Sequence, residues 1–145
     1  MKPKILAITL ATIFLICFSV IVITYSSSII KTDEIYTDLI ISEKKVGSFA
    51  IDKNNIRFGR MASGNIAERE FDVLTDVDIF VIIKVTGSIG PFVSISDNKF
   101  LITQNETKRI KLTAYTPEGT PEGNYSGYVV VYYHKPWVEK FIKWR

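Results

Sequence analysis

Residues 5–25 form a run of 21 positions without a charge, and this run constrains the 145-residue chain more than any other feature. Its polar members are only Thr9, Thr12, Ser19 and Thr24, with Tyr25 closing it. As an α-helix the run rises about 1.5 Å per residue and reaches roughly 30 Å, the thickness of a hydrocarbon core. A helix that is apolar on every side belongs in lipid or in a protein interior, not in water. The whole chain is 47% hydrophobic with a mean hydropathy of +0.18. The excess belongs to this run, and the rest has the composition of an ordinary folded domain.

Charge around the run sets its expected direction. Lys2 and Lys4 precede it, whereas Ser26, Ser27 and Ser28 follow it. The positive-inside rule then places residues 1–4 as a cytoplasmic stub, 5–25 as a transmembrane helix, and everything beyond it outside the cell. The competing reading is a cleaved signal peptide. Its apolar region would be about 7–15 residues long and followed by small residues, but Val22, Ile23 and Tyr25 are bulky. The reading adopted is a retained signal-anchor, so the protein is expected to be a single-pass membrane protein. Cys17 lies inside the run behind Leu15 and Ile16, which is not a lipoprotein setting; it reads as a small apolar filler. As the chain's one cysteine it also excludes an intrachain disulfide.

Past the anchor the pattern changes to β. Residues 26–46 read as a stalk or first strand, with Ile35, Leu39 and Ile41 on one face of a mixed pattern. Strands are predicted near 47–52, 55–59, 66–74, 77–86, 92–96, 99–103, 107–115 and 125–134, separated by Asn-, Gly- and Pro-containing turns. Residues 109–115 alternate most cleanly, with Ile110, Leu112 and Ala114 inward and Arg109, Lys111 and Thr113 outward. Residues 80–85 are nearly all apolar, as in a central strand. About seven short strands without helical periodicity indicate an all-β, antiparallel β-sandwich over residues 47–135; a small barrel is the alternative.

Residues 136–145 form a basic amphipathic tail. Trp137, Phe141 and Trp144 share a stripe at 100° per residue, with Lys140, Lys143 and Arg145 interspersed. This composition suits a membrane interface or a partner surface. The alternative is a tail packed on the sandwich. The formal net charge of +3 is concentrated at the two ends of the chain, so nucleic-acid binding is not expected.

Ile56-Arg57-Phe58-Gly59, Ser63-Gly64 and the stretch from Pro117 through Tyr125 to Gly127 carry a resemblance. Residues 56–132 resemble a recurrent Ig-like surface domain of archaeal and bacterial envelope proteins, of the type found beside carbohydrate-binding modules. The resemblance implies an Ig-like sandwich, with Tyr125 placed to bond back to its preceding loop as in a tyrosine corner. One N-terminal helix before an exported sandwich also looks, in architecture alone, like archaellum stator proteins. Fold resemblance does not imply activity.

No catalytic constellation is legible. His134 is the one histidine, and at the end of a strand it reads as an exposed residue rather than a general base. Asp72, Asp76 and Asp78 are the densest acidic set and read as a solvated turn rather than a calcium loop. No phosphate-binding loop is present, because Pro91 follows Gly87-Ser88-Ile89-Gly90 and stops a helix. No catalytic, metal or cofactor site is therefore expected, and the chain is not read as an enzyme. Asn105 and Asn124 match the N-glycosylation pattern. The expected role is structural, adhesive or binding, in the cell envelope, with the lipid bilayer and an envelope protein or glycan as partners. The alternative is a non-catalytic accessory subunit of a membrane or surface-filament complex.

Overall fold

The computed structural model describes residues 3–43 and 55–138. One helix, α1 (Pro3–Ser26), is followed by eight strands: β1 (Ile29–Ile41), β2 (Asn55–Met61), β3 (Ile66–Leu74), β4 (Ile79–Gly87), β5 (Val93–Ile95), β6 (Lys99–Ile102), β7 (Thr107–Tyr115) and β8 (Gly123–His134). They form a five-stranded sheet in the order β2-β1-β8-β4-β6 and a three-stranded sheet in the order β3-β7-β5. The chain is thus mostly β, in two sheets, as a β-sandwich requires. The predicted strand at 47–52 lies outside the described residues.

The core follows from period-two patterning. Leu39 and Ile41 on β1, Val81 and Ile83 on β4, and Val129 and Val131 on β8 face Ile110, Leu112 and Ala114 on β7. The three β7 residues are fully enclosed, as their alternation predicts. β4 is apolar and buried from Ile79 to Ile83 because both of its faces are covered there. Its outward Phe80 and Ile82 pack with Tyr132 and Val138 in a second, small cluster.

One open choice is decided by the fold, and one expectation, a wholly antiparallel sandwich, is corrected. Of the two readings of residues 26–46, a stalk or a first strand, the strand holds over residues 29–41. Their pattern looks mixed because Thr37 occupies a core position, where its Oγ1 donates to the Ile56 carbonyl at 2.8 Å. The sandwich is not wholly antiparallel, since β1 and β2 pair in parallel. The connection between them, residues 42–54, is about the dozen residues that a parallel crossover needs. Among the described residues no helix is long and apolar enough to cross a membrane.

Three of the four edge strands, β2, β5 and β6, are short or engaged. β5 and β6 are short. At β2, the inward-facing Arg69 of β3 donates from Nε to the Arg57 carbonyl at 2.9 Å and from Nη2 to the Phe58 carbonyl at 3.4 Å. Edge carbonyls that would otherwise template another strand are thus engaged.

Candidate functional site

Strand register sorts the loops into two ends. Ile29 pairs with His134, and His134 with Phe80. Ile79 pairs with Ile102, and Leu74 with Thr107. The exit of α1, the β3–β4 and β6–β7 turns and the segment after β8 therefore share one end. The loops around residues 62–65, 88–92 and 116–122 share the other.

At the helix-proximal end the chain leaves α1 through Ser27 and Ser28 alone. The Ser27 N–H donates to the Ile23 carbonyl at 2.9 Å, so the helix runs almost to the strand. Ser28 is buried, and its carbonyl accepts the Lys135 N–H at 2.9 Å. Its hydroxyl lies 3.0 Å from His134 Nδ1. His134 is 1% exposed, which corrects the exposed position expected for it. Desolvation, and then the charge of Lys84, hold its pKa below the ordinary 6.5, so it is neutral at physiological pH. A serine 3.0 Å from an imidazole has the reach of a nucleophile–base pair, yet both side chains are enclosed. The pair acts as a polar clasp between the root of the helix and the last strand.

Two turns close this end. The Asn105 N–H donates to the Thr75 carbonyl at 2.9 Å, and the Gln104 N–H to Asp78 Oδ1 at 2.9 Å. Between them and β1 lies a depression of about 420 Å³, lined by Ile30, Leu74, Val77, Asn105 and Tyr133. The Tyr133 phenol, half-buried, is pushed up to about 12, first by desolvation and then by Asp33. Ile30, Leu74 and Val77 are strongly exposed around this depression.

The expected site residues separate. Asn105 sits exposed in the β6–β7 turn with a left-handed φ of 61°, a conformation asparagine tolerates. Asn124 is exposed on β8 at the opposite end. Trp137 is partly exposed beside the helix root, and the adjacent Val138 is buried against Phe80 and Ile82. Phe141, Trp144, Lys140, Lys143 and Arg145 lie outside the described residues. Tyr125 Oη donates to the Pro121 carbonyl at 3.0 Å, the back-bond anticipated for it. The acidic trio is dispersed: Asp72 accepts from Arg109 Nε at 3.0 Å, whereas Asp78 caps the Gln104 amide. Among the described residues no group of three His, Cys, Asp or Glu side chains is arranged to hold a metal ion. Sequence reasoning missed Ile30, Leu74 and Val77, which come from distant segments and only the fold gathers.

The fold and this end together define a two-sheet β domain rooted directly on an apolar helix. The chain matches no protein-family model, no curated protein and no solved structure.

Proposed function

We propose that the protein is a single-pass, membrane-anchored β-sandwich of Ig-like type. Residues 5–25 cross the bilayer, and the sandwich stands on the extracytoplasmic side. Its role is structural, adhesive or binding, in the cell envelope. The observation that carries this reading is an apolar helix exposed on all sides. Every side chain described in α1 is exposed, including Leu10, Phe14, Leu15 and Ile21, and α1 makes no extensive contact with any strand. Such a helix needs an apolar surrounding. Its hydroxyls fit that surrounding: Ser19 Oγ donates to the Leu15 carbonyl at 2.8 Å and Thr24 Oγ1 to the Val20 carbonyl at 2.7 Å. Groups bonded within the helix leave little polar demand on lipid. Lys2 and Lys4 support a cytoplasmic N-terminus.

The short or engaged edges at β2, β5 and β6 argue that contacts to partners on those sides use faces and loops rather than strand addition. Membrane fractionation tests the anchor. Full-length protein should stay with membranes through an alkaline carbonate wash, and protease added outside the cell should digest the sandwich. Release by carbonate, or protection of the sandwich on the cytoplasmic side, would overturn the reading. Native size in mild detergent separates a lone anchored domain from a subunit of a larger complex.

A further inference from the structure

The exposed apolar side chains of the sandwich are unevenly placed. Outside α1, nine large apolar residues are exposed among the described residues. Ile29, Ile30, Leu74, Val77, Leu101 and Trp137 all lie at the helix-proximal end; only Ile66, Tyr115 and Tyr128 lie elsewhere. We infer that this end of the sandwich rests in the headgroup layer of the bilayer, with Ile30, Leu74, Val77 and Trp137 against lipid. The inference rests on the membrane-anchored reading above and adds a surface to it.

The tether decides the occupant. Only Ser27 and Ser28 separate α1 from β1, and two extended residues span at most about 7 Å. The headgroup region of one leaflet is itself roughly 5–8 Å deep. Ser28 is buried and bonded to Lys135, so it cannot pay out as a stalk. An end held this close to the helix exit meets lipid before it can meet another protein. Tryptophan is favoured at that depth, and isoleucine, leucine and valine gain from leaving water there. Charge is not the attraction, because Asp76 and Asp78 flank Val77, while Lys31 is paired with Asp33 at 2.7 Å. Seating is therefore apolar, and neutral lipid suffices.

The test uses the full chain with Cys17→Ala, so that Leu74→Cys, Val77→Cys and Ile66→Cys each provide one site for an environment-sensitive fluorophore. Each labelled protein is reconstituted into phosphatidylcholine vesicles with and without headgroup-spin-labelled phosphatidylcholine. Labels at positions 74 and 77 should lose at least about half their emission to the spin label, while position 66 at the far end is nearly unaffected. Equal quenching at both ends, or none at 74 and 77 in protein that floats with vesicles, would overturn the seating and leave the anchor intact. So would labels at 74 and 77 that are shielded from aqueous iodide yet untouched by spin-labelled lipid, which would indicate a protein contact. Failure to float with vesicles would overturn the anchor reading itself.

Discussion

The two ends of the sandwich are built on different principles. The far end is closed by short polar bonds and by residues chosen for backbone shape. Ser88 Oγ donates to the Ser126 carbonyl at 3.1 Å and accepts the Ser126 N–H at 3.0 Å. Thr116 Oγ1 donates to the Ala62 carbonyl at 2.9 Å, and Tyr125 reaches Pro121. Gly87 and Gly127 lie opposite each other in the β4–β8 pairing, with backbone too close on either side for a Cβ. The helix-proximal end has a buried polar clasp of its own, yet it also carries most of the sandwich's exposed aliphatic surface. That surface contributes little to folding, since it stays in water in the isolated domain. The far end is complete as a folded object; the near end, on the seating proposed above, is completed by lipid.

The largest expected effect breaks the far end. A Cβ on Gly127 would collide with the Thr86 carbonyl oxygen and lie 2.8 Å from its carbon. Backbone cannot yield as a flexible side chain can. Gly127→Ala should therefore cost about 3 kcal/mol, at the upper end of ordinary overpacking. Urea unfolding of the full chain in mild detergent, followed by tryptophan emission, measures it; an unchanged midpoint would mean that β4 and β8 do not approach so closely.

The next effect belongs to the near end. Removing the imidazole in His134→Ala takes away a partner of the buried Ser28 hydroxyl together with a buried ring, and should cost about 2 kcal/mol. The same residue gives the wild type an acid limb. Its folded pKa lies below the ordinary 6.5 because burial and Lys84 disfavour the imidazolium. The unfolded chain thus binds more protons in the window beneath 6.5, and stability rises with pH across it. Stability should be full above about 6.5, decline as the pH falls toward the folded pKa, and gain no further dependence from this group below that. His134→Ala should flatten this limb; an identical pH profile in wild type and variant would show that His134 is not the titrating group.

How far the sequence discloses these two ends differs for physical reasons. Strands β3 and β7 coincide with the predicted 66–74 and 107–115, because each has one wet and one dry face and alternation records that difference. The far-end loop was readable from its prolines, glycines and Tyr125, since turn chemistry is local. β1 was half hidden, because its core face includes Thr37, whose burial depends on a carbonyl 19 positions away. His134 was misread because the group covering it, Ser28, is 106 positions distant. The apolar collar was invisible for the same reason: Ile30, Leu74 and Val77 are unremarkable singly, and only strand register brings them together. Trp137 alone announced that end, through its type and its neighbours.

Two smaller effects sharpen the contrast. Tyr125→Phe removes one hydroxyl bond from the far end and should cost about 1 kcal/mol, as a typical net hydrogen bond does. A midpoint unchanged on unfolding would mean that water replaces the bond without loss. The paired changes Leu74→Ser and Val77→Ser should cost less than about 0.5 kcal/mol in detergent, because exposed positions away from caps and pairs contribute little. Ile66→Ser at the far end should be equally silent there. In phosphatidylcholine vesicles the equality should break: losing Leu74 and Val77 should raise the exposure of Trp137 to aqueous quencher, and losing Ile66 should not. If all three substitutions behave alike in vesicles, the two ends are equivalent, and the aliphatic collar is ordinary surface scatter. If only the near-end pair responds, that surface is held by lipid and not by the fold.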